Sequence, residues 1–268
     1  MTLDPIWTAL VAKVVATMTV VLTAALVAER VGPFFGALVA CLPVSAGPAY
    51  VLLALQSSDA FIAASALASA TAVAATAFFL LAYVFLAPRA GVLASIAGGL
   101  CVWGVAVAAI RLVSWDVLGA LALNAATFSL ALALSRRADA PGQIVRARRR
   151  WFELPMTAVM VGLLVASVVS LSAALGPAFT GIAALFPVTF SSLALAVHPR
   201  LGGRVAAATM AAALKAMPGF ALGLLVLHAL AVPAGTALAL LAALATMLAW
   251  SAALIAWRLH VARASNLR

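Results

Sequence analysis

GPFFGALVACLPV, residues 32–44, returns 144 residues later as GPAFTGIAALFPV, residues 176–188. At that offset Gly32, Pro33, Phe35, Ala40, Pro43 and Val44 meet identical residues at Gly176, Pro177, Phe179, Ala184, Pro187 and Val188, and Ser45 meets Thr189. Pro88 meets Pro233 at an offset of 145, which carries the likeness into the following stretch. What the repeat means depends on the solvent that surrounds it.

That solvent is a bilayer. Of 268 residues 67% are hydrophobic and 8% charged, with a mean hydropathy of +1.24, far from the composition of a soluble domain. Apolar runs such as 60–87 and 233–257 exceed the roughly 20 residues a helix needs to cross about 30 Å of hydrocarbon. They are rich in Ala and Leu and do not alternate polar with apolar, so helices are predicted and not the strands of a barrel. The opening MTLDPIWTAL carries no Lys or Arg ahead of its apolar run, so the first helix is expected to stay in the mature chain. Cys41 and Cys101 lie inside apolar runs and read as small packing residues.

Charge, Gly and Pro cut the chain into nine candidate spans, about 6–28, 36–56, 60–87, 90–110, 117–135, 155–174, 179–197, 204–230 and 233–257. Thirteen of the 16 basic residues follow odd-numbered spans, among them Arg30, Arg89, Arg136, Arg146, Arg200 and Arg258, whereas Arg111 alone follows an even-numbered one. Basic residues concentrate in cytoplasmic loops, so the amino end is expected outside and the carboxyl end in the cytoplasm, in a bacterial inner membrane. The polar stretch 136–154, with its Pro and Gly, is the one credible linker. It divides the chain into a first membrane repeat with a connector helix (1–135), a basic cytoplasmic linker (136–154), a second membrane repeat (155–257) and a cytoplasmic tail (258–268). Within the linker, RARRRW at 146–151 could be taken for a nucleic-acid patch, given a pI near 11.5. Beside membrane spans it reads as an anchor for anionic headgroups, so membrane lipids and not nucleic acid are the expected partners.

Five spans precede the linker, so the second copy of the phrase enters the membrane from the side opposite to the first. The predicted fold is therefore an all-α polytopic membrane helix bundle of about nine transmembrane helices in two inverted-topology halves. Halves related in this way can exchange conformations and open a central site to one face and then to the other. Pro43 and Pro187 fall near the middle of their spans. Proline has no N–H, so each frees the carbonyl four residues back, on Val39 and Ala183, and in hydrocarbon such a carbonyl needs another polar partner. Ser45 sits beside the first proline, and Thr189, Ser191 and Ser192 beside the second. Pro43, Ser45, Pro187, Thr189 and Ser191, with Ser192 as an outlying member, outline a candidate substrate site at the bilayer midplane. The other reading is a pair of kinks that suit helix packing, with the hydroxyls bonding back to their own helices.

TGIAALFPVTFSSLALAVH at 180–198, followed by an Ala-rich span interrupted at MPGF, 217–220, resembles the GlpM-like family of small bacterial inner-membrane proteins. Leu185, Phe186, Pro187 and His198 carry the resemblance, which covers about 50 residues of the second half. Members of that family are about half as long, so the resemblance implies a fused pair of antiparallel halves; it implies no substrate.

Lys215 lies about eleven residues into its span, roughly 16 Å from the cytoplasmic end at 1.5 Å per residue. A lysine at that depth costs about 2.5–3.5 kcal/mol on insertion scales and should face a cavity, a partner or a substrate. The six acids, Asp4, Glu29, Asp59, Asp116, Asp139 and Glu153, all fall at span ends or in loops. Lys215 therefore predicts an anionic ligand or a lysine that cycles a proton; the alternative is bonding to carbonyls loosened by Pro218. Lys13, about seven residues from the outer end, is a secondary candidate within snorkelling reach. His198, His228 and His260 are scattered, and HExxH, GxSxG and Gly-rich phosphate motifs are missing. No catalytic residue, metal or cofactor is expected. The expected function is a secondary transporter or facilitator of a small anionic solute. A non-transporting membrane scaffold and a flippase for a lipid-linked anion are the alternatives, and a homodimer is compatible with each.

Overall fold

The structure, a computed structural model, describes Thr19, residues 46–136 and residues 153–266. All of the expected first span but Thr19, about half of the second, the bulk of the basic linker, and Lys13, Pro43 and Ser45 lie outside the described residues. Eight helices follow in order: α1 Ala46–Ala54, α2 Asp59–Leu86, α3 Val92–Ile110, α4 Val117–Ser135, α5 Glu153–Ala184, α6 Val188–Leu201, α7 Gly203–Ala234 and α8 Thr236–Asn266. Among the described residues there is no strand, and six helical stretches, with 158–201 counted as one, are long and apolar enough to cross a membrane. The chain is an all-helical, multi-pass membrane protein by this measure.

Local chemistry sets the boundaries. Ser58 caps α2 by accepting the N–H of Phe61, and Asp116 caps α4 by accepting the N–H of Gly119 at 2.7 Å. Asp59, in the first turn of α2, also accepts the N–H of Thr236 at 3.2 Å and the Thr236 hydroxyl, so one carboxylate serves the starts of two helices. Gly176, Gly202 and Gly235 take φ of 74°, 82° and 82° with extended ψ, a conformation open essentially to glycine alone. Single residues thus join α6 to α7 and α7 to α8, and Gly176 splits α5 into two helical pieces ahead of Pro177.

Helix α2 is the centre of the bundle, and three of its faces hold different neighbours. Ala63, Ala66, Ala70, Ala74 and Ala77 recur at helical spacing and are buried, toward α4 and α7: Asn124 Nδ2 of α4 donates to the Ala70 carbonyl at 2.9 Å and His228 Nδ1 of α7 lies 2.8 Å from the Ala63 carbonyl. A second face meets α3, where Phe79 and Leu86 rest on Gly99 and Gly98. The third carries Ser65, Ser69, Thr76 and Tyr83, at the i, i+4, i+11 and i+18 positions of one stripe. Small residues let these backbones approach, which is how helices associate where hydrocarbon gives no hydrophobic drive.

Contacts fix the helix directions. Gly203 lies against Ala87 and His228 against Ala63, so α7 runs antiparallel to α2. Gly219 faces Trp250 and Gly223 faces Met247, so α8 runs antiparallel to α7. Arg89, Arg200 and Arg204 consequently gather at the end of the bundle where α2 finishes, while Asp59 stands at the opposite end. The starts of α2 and α7, Asp59 and Gly203, are 144 residues apart, as are those of α3 and α8, Val92 and Thr236. Among these six helices, exchanging α1 with α6, α2 with α7 and α3 with α8 also leaves the packed pairs in place, α3 on α6 answering to α8 on α1, whereas the contacts of α5 with α1, α2 and α6 have no counterpart among the described residues. One expectation fails: Cys101 lies on the exposed face of α3, so it does not serve core packing.

Candidate functional site

The span from Pro177 to Leu201 is interrupted at Leu185–Phe186–Pro187. Helical bonding ends with two short links, from Leu185 N–H to the Ile182 carbonyl at 3.0 Å and from Phe186 N–H to the Ala183 carbonyl at 3.1 Å. The carbonyl that Pro187 was expected to free, on Ala183, is thereby satisfied. Those left over belong to Gly181, Ala184 and Leu185, and the hydroxyl stripe of α2 takes the first and the last. Ser69 Oγ donates to the Gly181 oxygen at 2.6 Å and Thr76 Oγ1 to the Leu185 oxygen at 3.3 Å. Farther along, Tyr83 and His198 Nδ1 are 2.8 Å apart. The broken span thus runs parallel to α2 and is bonded to it at three levels. Close approach makes this feasible: a Cβ on Gly181 would stand 2.1 Å from the Ser65 carbonyl oxygen. Tyr50 of α1 joins the same node through its hydroxyl, 2.7 Å from Ser69 Oγ.

Beyond the break, α6 begins without a side-chain cap on Pro187. Val188 N–H turns back to the Phe186 carbonyl and Ser191 N–H bonds the Pro187 carbonyl, whereas the N–H groups of Thr189 and Phe190 meet no acceptor among the described residues. The hydroxyls of Thr189 and Ser191 in this first turn are buried and likewise without a partner, and Ser191 is only 7% exposed. Ser192, in contrast, donates to the Thr189 carbonyl at 2.9 Å and is a helix-internal group. An uncapped helix start inside the bundle, with two backbone donors and two hydroxyls unused, has the chemistry to donate to an anionic oxygen.

Trp103 of α3 closes one side. Its ring meets Phe186 edge-on, with centroids 5.3 Å apart, and it packs against the buried cluster of Ala74, Ala75 and Ile110. Sequence reading missed Trp103 because an indole in an apolar helix looks like any other core residue. It missed Ser69 and Thr76 because hydroxyls in an Ala-rich span commonly bond back to their own helix, as Thr76 also does to Ala72. Lys215 is half-buried, and the antiparallel register of α7 on α2 sets it opposite Ala75 and Thr76, at the height of the break. Its carbonyl accepts the Trp250 indole N–H at 3.1 Å, beside the Leu214 carbonyl, which loses its helical donor to Pro218 four residues on. No protein-family model, curated protein or solved structure matches the chain.

Proposed function

We propose that the protein carries a small anionic solute across the inner membrane of a bacterium by alternating access, with nine spans in two inverted halves and the carboxyl end in the cytoplasm. The observation that carries this reading is the uncapped start of α6 in mid-span, where Thr189 and Ser191 hold unpartnered hydroxyls beside open backbone donors. Half-helices that begin inside a membrane direct their positive ends at anionic groups of a substrate. The cationic Lys215 at the same height adds to the positive field. Support for two related halves comes from helix starts repeated at 144 residues and from packed pairs that survive exchange of the halves. Support for the orientation comes from Arg89, Arg200 and Arg204 at one end of the bundle and Asp59 at the other.

The test is thermal unfolding of the purified full chain in detergent against carboxylates, phosphate esters and inorganic oxyanions, followed by uptake of any stabilising anion into proteoliposomes. A ligand at 100 times its Kd stabilises by about 2.7 kcal/mol. Stabilisation without flux would favour a binding or scaffold role, and neither would overturn the reading. Separately, Gln143→Cys should label only from the cytoplasmic side and Ser57→Cys only from outside; an external residue 143 overturns the orientation and leaves the site untouched.

A further inference from the structure

We infer that Trp103 is a ligand-binding residue, its indole N–H supplying a donor from α3 to an oxyanion seated on the start of α6. This rests on the anion-site reading above and extends it to a residue in the other half of the chain. The indole nitrogen can only donate, and buried indoles nearly always find an acceptor. Trp115 donates to the Ile110 carbonyl at 2.8 Å and Trp250 to the Lys215 carbonyl at 3.1 Å, but the buried Nε1 of Trp103 meets none. Its ring is held by Phe186, the residue before Pro187, and by the buried cluster of Ala74, Ala75 and Ile110. The ring that carries the unused donor therefore rests against Phe186 at the break, and the unused hydroxyls of Thr189 and Ser191 follow just beyond Pro187 in the chain. Every one of these groups can donate at once, which suits a carboxylate, phosphate or sulfate oxygen with several lone pairs and does not suit a cation. Donors to a charged oxygen form bonds about twice as strong as neutral ones.

The experiment uses the full chain in detergent with ¹⁵N-labelled tryptophan, Trp103 being assigned by its signal missing from Trp103→Phe. Acetate, inorganic phosphate and sulfate are titrated at constant ionic strength against chloride. The Trp103 indole proton is expected to move downfield and saturate with at least one of the three. Trp103→Phe keeps the ring but not the donor, and should weaken that probe about five- to tenfold while unfolding at the wild-type temperature when no probe is present. Should Trp103→Phe not fold, Trp103→Tyr supplies the assignment, and the saturating shift in the wild type then decides. A probe that stabilises the wild type and is lost in Thr189→Val/Ser191→Ala, yet leaves the Trp103 signal in place, overturns the role of Trp103 and spares the site. If no probe stabilises the wild type or moves the signal, both readings fall.

Discussion

Helices α2 and α7 start 144 residues apart, run antiparallel through the middle of the bundle and differ in how they hold their neighbours. On α2, Ser69, Thr76 and Tyr83 bond outward to the broken span. At the same offset α7 has Ala213, Phe220 and Leu227, and its Thr209, opposite number of Ser65, bonds back to the Val205 carbonyl at 2.9 Å. What α7 offers α8 is closeness, with Gly219 under Trp250 and Gly223 under Met247. The neighbour explains the difference. α8 is continuous and satisfies its own carbonyls, so packing suffices; the span beside α2 is interrupted, and its orphaned carbonyls would be costly in hydrocarbon without outside donors.

The largest effect should come from separating the backbones at the break. A Cβ on Gly181 would stand 2.1 Å from the Ser65 oxygen and 3.0 Å from the Ser65 carbonyl carbon, both main chain. Gly181→Val would push the broken span off α2 and detach the Ser69 and Thr76 bonds together, a loss beyond the ~1–3 kcal/mol of ordinary overpacking. On α7 the corresponding insult is Gly219→Ala, which meets the Trp250 side chain at 2.3 Å. Turning the ring aside cannot move the Trp250 Cβ, which stands at 2.5 Å, so α8 must shift as well and the loss should approach the upper end of the ordinary range, still below that of Gly181→Val, where main chain meets a larger side chain. Unfolding of both variants in detergent, by heat or by SDS, ranks them; a Gly219 variant more damaged than Gly181→Val would break the comparison.

Next come the donors themselves. Ser69→Ala leaves the Gly181 carbonyl and the Tyr50 hydroxyl without their shared partner, and should cost about 1–3 kcal/mol, the range for stranding a buried polar group. Thr76→Val is nearly isosteric and strands the Leu185 carbonyl alone; hydrogen bonds between membrane helices average about 0.6 kcal/mol, which is the loss expected here. Thr209→Val on α7 removes a bond within one helix and should change stability by less than about 0.5 kcal/mol. Equal losses at Ser69 and Thr209, measured by the same unfolding assay, would show that the hydroxyl stripe is not what holds the broken span.

Much of the fold was legible because its punctuation is physical. The span expected at 117–135 is α4, Val117–Ser135, since Asp116 can cap and Arg136 must leave the hydrocarbon. Residues 185–187 interrupt a helix where a mid-span proline said they would. The turn before that span was less legible: residues 175–178 read as a loop between two spans, whereas Gly176 alone makes the kink, because a positive φ needs no further residues. Of the site, Thr189 and Ser191 could be named from their place beside Pro187. Trp103 could not, because what marks it is a missing acceptor, and an absence of that kind exists only once neighbouring helices are in place.

The smallest expected effect on stability is at Lys215, and it sharpens the comparison by asking what α7 contributes apart from packing. The bond from Trp250 ends on the Lys215 backbone carbonyl, so Lys215→Ala leaves the α7–α8 contact intact. Removing a charge from mid-span also relieves a desolvation cost of about 2.5–3.5 kcal/mol on insertion scales. The alanine variant should therefore fold and insert, with a melting temperature near that of the wild type in the absence of ligand. Its response to the stabilising anion should be lost, because the positive field at the break then comes from the α6 start alone. Lys215→Arg restores the charge but presents a broader, planar fork, and should recover only part of the response. Melting temperatures of the three proteins with and without the anion separate the cases. An alanine variant that melts lower yet responds to the anion as the wild type does would make Lys215 structural, and would leave α7 as a packing helix throughout, with ligand recognition confined to the break beside α2.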